Sequence, residues 1–330
     1  GGSKVNVPPK DSIRVSHEAM RSFVAEAATV AGLPGVRANQ LAGWLTDNDL
    51  RGVVSHGNQQ IATYARLMRD GVLNVNPDVQ VVKETPVSVL VDGDGGLGYF
   101  PAYEGTLSAI EKAKASGVAV MVSRNHGHFG AAGIYSRLGL GHDLLMYVTS
   151  GHQMRMKEGA PIYSAGGGSP MSFLTPTSEE TSLILDFGAM HDLYDSSKHR
   201  ETIAEIAPAV VFRSLGLGAI CQSWGGLLSG LGIEEARRPW EYEGANQGAF
   251  VIALRIDLFT DPERLKQEMD IYVRKVRDLK PLVGFDQALL PGTIEAIRER
   301  EYREEGIPVG ARHRERLEEL AGELGIEVPW

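Results

Sequence analysis

Two short segments concentrate acid–base chemistry in this chain. One is Ser55-His56-Gly57, which follows Arg51-Gly52; the other is Asn125-His126-Gly127-His128-Phe129-Gly130. Histidine is the side chain whose proton equilibrium lies near neutrality, so it serves as a general acid or base. The flanking glycines let backbone and ligand approach closely. His126 and His128 could instead hold zinc, but i,i+2 spacing without a nearby Cys or carboxylate is a poor metal pattern, and no metal is expected. The plainer alternative for each histidine is a hydrogen-bonded structural residue. A third segment, Gly93-Asp94-Gly95-Gly96-Leu97-Gly98, matches G-x-G-x-x-G between a predicted strand and a predicted helix. The acidic residue that a dinucleotide site places at the end of the second strand is missing, because Ser123-Arg124 follows Gly117–Val122. A glycine-rich strand-to-helix turn is therefore expected at 93–98, and not a Rossmann site.

The elements that must carry these groups are readable from hydrophobic spacing. Ser16 caps a helix with Glu18 in its first turn, and Met20, Phe23, Val24, Ala27 and Val30 follow at helical spacing. Gly32 ends it. Further helices are predicted over about 38–48 and 59–70, the latter closed by Gly71. Strands are predicted at 79–82, 87–91, 117–122, 144–148, 172–174, 183–186 and 250–256. Helices are predicted at 103–115, 131–140, 203–218, 220–231 and 261–279, with a charged, mostly helical tail over 292–329. The division expected is an arm over 1–13, in which Gly1-Gly2-Ser3 reads as an expression scar, and a helical unit over 14–75 packed with C-terminal helices 285–330. An α/β centre over 76–284 would hold the cofactor region. The fold class is mixed α/β (α+β).

Composition bounds the partners. The 330 residues carry 33 Lys+Arg against 42 Asp+Glu, a formal net charge of −9. That balance argues against nucleic acid, whose phosphates need clustered cations. Arg237-Arg238 and the Arg/Glu-rich run 298–319 read as solvated helix faces, because the signs alternate. No stretch approaches 18 apolar residues, so no membrane partner is expected. The single cysteine, Cys221, excludes an intrachain disulfide framework and fits a reducing, cytoplasmic setting. It sits in the apolar run Ala219-Ile220-Cys221, which suits a small buried hydrophobe better than a nucleophile. The 39 glycines fall in clusters, as in an enzyme built around a small ligand.

The order of motifs resembles the type-2 malate/L-lactate dehydrogenase family. That family also contains sulfolactate, ureidoglycolate and diketogulonate dehydrogenases and cyclic-imine reductases. The resemblance is carried by Arg51-Gly-x-x-Ser55-His56-Gly57, Tyr64, Asp92-Gly93 with Gly98, Asn125–Gly130 with Ala131 and Tyr135, Gly168-Ser169-Pro170 with Phe173, Leu185-Asp186, Arg213–Gly218, Ile256-Asp257 with Phe259, and Pro291-Gly292. It spans about residues 14–325. It implies a homodimeric NAD- or NADP-dependent oxidoreductase with the family's own fold, acting on a small molecule. It further implies His56 as the acid/base, Ser55 as a neighbouring substrate contact and His128 in the same cleft. Gln60, Asn125 and Arg155 fall where substrate contacts are expected. Asp186, Phe187, Gly188, Ala189, Arg213, Gly292 and Thr293 fall where the family holds its dinucleotide.

The chain departs from the family at several of these places. Gln60 stands where an arginine commonly pairs with the substrate carboxylate, and Val54 replaces an acidic residue. A neutral amide cannot reproduce a guanidinium–carboxylate pair. Arg155, in the run Gly151–Arg155, could return the charge from a new direction. Asp186-Phe187-Gly188-Ala189-Met190 replaces D-x-A-T-S, so the hydroxyl donors are gone. Only 26 residues separate Asp186 from Arg213 (213 − 186 − 1), fewer than the family carries. His191 and Asp192 occupy the altered turn, either as a polar turn or as new catalytic groups. Two readings follow. One is a diverged dehydrogenase or reductase whose substrate lacks the usual 2-hydroxy or 2-oxo carboxylate. The other is a lyase, isomerase or condensing enzyme that has lost dinucleotide binding and keeps His56 for proton transfer. A dimeric, non-enzymatic binding protein is the third and weakest reading.

Overall fold

A computed structural model describes residues 7–234 and 240–330. The expected scar Gly1-Gly2-Ser3 and the pair Arg237-Arg238 lie outside the described residues. In chain order the elements are β1 (Ile13–Val15), α1 (His17–Val30), α2 (Gly35–Leu50), α3 (Ile61–Arg69), β2 (Gln80–Thr85), β3 (Ser88–Asp92) and α4 (Tyr99–Ser116). There follow β4 (Val118–His126), α5 (Gly133–Ser136), β5 (Leu144–His152), β6 (Pro170–Thr175), β7 (Leu183–Gly188), α6 (Arg200–Ile206) and α7 (Pro208–Cys221). The last are β8 (Gln247–Arg255), α8 (Pro262–Arg277), α9 (Thr293–Glu305), β9 (Ile307–Val309) and α10 (Ala311–Leu324). Two compact units divide the chain: unit 1 is 1–76, 177–183 and 263–330, and unit 2 is 77–176 and 184–262.

Unit 1 is helical. Ser16 Oγ accepts from Ala19 N at 3.1 Å and starts α1, whose Met20, Phe23, Val24 and Ala27 are buried. On α2 the residues Leu41, Ala42 and Leu45 form a stripe with no exposure. A two-stranded antiparallel ribbon joins β1 to β9, with Ile13 opposite Val309 and Val15 opposite Ile307. This strand begins inside the expected arm; three residues are too few to show an alternating pattern in sequence. The helix α8 groups with unit 1, although the sequence division kept everything to 284 in the centre. Asp270 explains this: its carboxylate accepts from the backbone N of Ser178, Glu179 and Glu180 at 3.0–3.2 Å, tying α8 to the 177–183 loop. In the charged tail, Arg298–Glu301 and Arg303–Glu299 pair at 2.8 Å along α9.

Unit 2 carries a seven-stranded sheet in the order β2-β3-β4-β8-β5-β6-β7. The strands β3 and β4 are parallel, and β4 and β5 each pair antiparallel with β8. Helix α4 crosses between β3 and β4 and packs on them at Gly105, where a Cβ would lie 2.7 Å from Met121 Cγ. The predicted helix 131–140 is shorter than expected, a four-residue α5 followed by a 3₁₀ turn at Arg137–Gly139. The predicted helix 220–231 is instead the end of α7, a π turn over Gln222–Gly226 and a 3₁₀ turn over Leu227–Ser229. Gly225 accounts for part of the change: a Cβ there would stand 2.4 Å from Gly151 N, so the backbone rests directly on β5. Cys221 is buried, and burial pushes its thiol pKa up. Among the described residues no single helix is long and apolar enough to cross a membrane.

Candidate functional site

In unit 1, two consecutive 3₁₀ turns, Val54–His56 and Asn58–Gln60, present the first histidine segment. Ser55 is exposed and His56 half-buried. Ser55 Oγ and His56 Nδ1 are 3.0 Å apart, a hydrogen bond that either tautomer can make. Gln60 Nε2 donates to Ser55 O at 2.6 Å, and Gln59 Nε2 donates to Val54 O at 2.7 Å. Ser55, His56 and Gln60 are thus brought into one small loop. A cavity of about 270 Å³ opens beside it, lined by Gly52, Val53, Val54, Ser55, Tyr302 and Pro308 among others.

Beneath the loop lies a polar cluster that the sequence reading missed. Asn48 Nδ2 donates to His56 O at 2.9 Å, Asn58 N donates to Asp49 Oδ2 at 3.0 Å, and Thr46 Oγ1 donates to Asn58 Oδ1 at 3.1 Å. Asp49 and Asn58 have no exposure at all. Burial pushes the Asp49 carboxyl up to about 8, against the lowering pull of the Asn58 hydrogen bonds. A signal for this existed: Asp49 continues the stripe Leu41-Ala42-Leu45 at helical spacing, so it belongs to the inward face of α2.

In unit 2 the second histidine segment is held by the glycine motif. Gly93 N, Gly95 N and Gly98 N donate to the carbonyls of Arg124, Asn125 and His128 at 2.9–3.0 Å, and Gly127 N donates back to Gly96 O at 2.8 Å. The amides that a phosphate would need are spent on the 124–128 loop. The glycines themselves are needed for contact: a Cβ on Gly98 would stand 2.5 Å from Gly127 O, and one on Gly95 2.2 Å from the Tyr242 ring. The expected strand-to-helix turn is what stands here. Asn125 has φ 54° at a register shift between β4 and β8, which turns the chain out of the sheet.

The two histidines of this loop differ. His126 is fully buried, with Nδ1 2.7 Å from Gly127 O and Nε2 2.8 Å from Ser123 Oγ. A carbonyl only accepts, so Nδ1 carries the proton and Nε2 accepts from the serine. Burial pushes its pKa down to about 4, which keeps it a neutral structural residue. His128 is half-buried beside it. Asn125 is turned inward, its Nδ2 donating to Asp92 Oδ1 at 2.7 Å. Arg124 pairs with Asp92 at 3.0 Å and lies 5.7 Å from the Trp240 ring centre, at the wall of a cleft of about 480 Å³. Arg155 is exposed on the segment after β5.

The expected cofactor residues are placed as follows. Asp186 is exposed at the end of β7, its Oδ2 accepting from Gly133 N at 3.0 Å. Phe187 and Gly188 are half-buried, and Ala189 N donates to Ser169 O at 2.9 Å. Met190 is only 1% exposed and forms an apolar cluster with Leu193 and Val211, against Tyr163, Ile203, Ala204 and Leu215. Arg213 is exposed on α7. In unit 1, Gly292 has φ 95° and donates its N–H to Glu295 Oε2 at 3.1 Å, while Thr293 N donates to Leu290 O at 3.2 Å. Several of the groups that the resemblance would offer a dinucleotide are absent or engaged within the protein. The amides of Ala189, Gly292 and Thr293 are committed within the protein, no hydroxyl stands between 186 and 190, and Met190 fills the turn from inside. The shortened 186–213 segment supplies α6 and α7 to that apolar cluster. Among the described residues no group of three or more His, Cys, Asp or Glu could hold a metal ion.

Comparison with known proteins agrees with the order of motifs. The family model for malate/L-lactate dehydrogenase matches residues 15–190 and 194–318. L-sulfolactate dehydrogenase of Methanocaldococcus jannaschii is 27% identical over 337 residues, covering 93% of this chain and 96% of that protein. Ureidoglycolate dehydrogenase (NAD(+)) of Escherichia coli is 24% identical over 325 residues, covering 90% and 93%. The solved malate dehydrogenase of Pyrococcus horikoshii superposes with a TM-score of 0.82 at 23% identity over 98% of both chains, a likeness of fold. With nearly its whole length matched, the chain belongs to the malate/L-lactate dehydrogenase family, whose named members here are dehydrogenases.

Proposed function

We propose that this chain is a diverged oxidoreductase of that family, acting on a small C=O/C–OH or C=N/C–NH substrate with His56 as its acid/base. The observation that carries the reading is the Ser55–His56 pair held on the buried polar face of α2. Ser55 engages Nδ1, which makes Nε2 the nitrogen that exchanges a proton with substrate. In the reducing direction Nε2 gives its proton to the carbonyl oxygen or imine nitrogen; in the oxidising direction it takes one from the hydroxyl or amine. Ser55 serves both directions, because its hydroxyl can donate to Nδ1 or accept from it. Gln60 is bonded back to the loop and brings no positive charge, so a substrate without the usual carboxylate is favoured. On the resemblance alone, Asn125, His128 and Arg155 of unit 2 are proposed as further site residues.

Family membership makes NAD or NADP the redox partner of this reading, and the Escherichia coli relative bears NAD(+) in its name. The packed turn at Met190 favours a second reading, in which the scaffold has lost the dinucleotide and His56 moves protons in a lyase, isomerase or condensing reaction. Thermal unfolding with NADH and NADPH separates the two, since a ligand at 100 times its dissociation constant stabilises by about 2.7 kcal/mol. A shift supports the first reading, and none supports the second. His56→Ala tests both. Turnover found by screening hydroxy acids, oxo acids and cyclic imines should fall about 10²–10⁴-fold with the fold intact. Unchanged turnover would refute His56 as the acid/base. The proposal includes a homodimer in the cytoplasm. Support for the dimer comes from the resemblance and from large apolar side chains exposed on unit 2, among them Ile206, Phe212, Leu217 and Leu228.

A further inference from the structure

Gly57 does not hold a backbone conformation reserved for glycine: its φ is −91° and its ψ −157°. What excludes a side chain there is Asp49. A Cβ on residue 57 would fall 1.7 Å from Asp49 Oδ1 and 2.4 Å from its Cγ. The same carboxyl accepts from Asn58 N at 3.0 Å, and the adjacent Asn48 donates to His56 O at 2.9 Å. Residues 56, 57 and 58 are therefore gripped in succession by two neighbouring side chains at the end of α2. Asp49 Oδ1 is buried and makes no hydrogen bond, so the space it fills under Gly57 is its own contribution to the loop.

We propose that Asp49 is a positioning residue for His56, its carboxyl wedged under Gly57 and bonded to Asn58 so that the 54–60 turns present the imidazole in one direction. The glycine of Ser-His-Gly is then a socket for that carboxyl and not an opening for ligand. The inference rests on the reading of His56 as the acid/base, but its test does not require turnover.

The test follows the His56 imidazole carbon and proton resonances in full-length chain labelled at histidine, assigned by their loss in His56→Gln. Asp49→Asn keeps the shape and the acceptor, and should leave the His56 signal near its wild-type position. Asp49→Ala and Gly57→Ala should each move or broaden it. Asp49→Ala with Gly57→Ala should lie nearer wild type than Gly57→Ala alone, because the new methyl enters the vacated space and the two changes are coupled. A His56 signal unmoved by Asp49→Ala, or two changes that simply add, would overturn the proposal. If Gly57→Ala does not fold, the contrast between Asp49→Asn and Asp49→Ala still decides. A failure of His56→Ala to reduce turnover would count against the acid/base reading alone.

Discussion

Asp49 makes a prediction about stability that needs no substrate. Burial pushes its carboxyl up to about 8, far above the ordinary 3.8 of an aspartate, so at neutral pH the native state holds a proton that the unfolded state has released. The native state binds more protons, so stability from this group is greatest at low pH and is lost as pH rises toward 8. At 1.36 kcal/mol per pH unit, keeping the acid protonated at neutral pH costs about 4 kcal/mol. Two buried histidines act in the opposite sense. His126 and His313 are both pushed down to about 4 from 6.5 by burial, so their contribution is complete above 6.5 and is lost as pH falls toward 4. Between 6.5 and about 8 the remaining histidine contribution is common to wild type and Asp49→Asn, so the difference between the two isolates Asp49, which is still titrating. Across that window wild-type unit 1 should lose about 1–2 kcal/mol relative to Asp49→Asn, which has no proton to release. Urea unfolding across the window reads the slope; the two units need separate transitions or probes, since a chain of two units is not two-state. A wild type as flat as the variant would refute the reasoning, and would mean that Asp49 is ionised in the native state.

Met190→Ala should destabilise unit 2 by about 2–5 kcal/mol through the cavity it leaves, read by urea unfolding; an unchanged midpoint would contradict the packed turn. Phe212→Glu should turn a dimer into a monomer by light scattering, because Phe212 is a large apolar side chain 73% exposed on α7; a dimer that survives would place the interface elsewhere. Gln60→Arg should bring measurable turnover of 2-oxo acids with reduced nicotinamide if the missing guanidinium alone narrows the substrate, and no gain if the dinucleotide site is also lost.

Much of the architecture could be read from residues because local signals agreed with the fold. Ser16 and the spacing from Met20 to Val30 specify α1, and the β-branched runs within 87–91 and 117–122 mark β3 and β4, which the structure pairs in parallel. The glycine turn was legible as a turn because its missing acidic partner is a sequence fact. What escaped depends on tertiary contact. A three-residue β1 has no pattern of its own until β9 pairs with it. The π turn after α7 arises where Gly225 meets β5, which no propensity records. His126 and His128 look equivalent in sequence, and only burial separates the structural one. Asp49 belongs to no motif, and burial of an acid is the exception, although its place on the Leu41–Leu45 stripe points inward.

Unit 1 is assembled from three stretches of chain, and its last stretch begins at Glu263. On the ribosome the N-terminal helices emerge before their partners, with α1 lacking α10, α2 lacking α9 and β1 lacking a strand almost 300 residues downstream. Unit 2 is fully synthesised by Pro262 and can close first, with its two segments separated only by the short 177–183 excursion. The segment that bears His56 thus belongs to a unit whose chain is complete only after the last stretch has been made. Truncation before α9 would leave unit 2 its whole chain while depriving α2 of α9, α1 of α10 and β1 of β9.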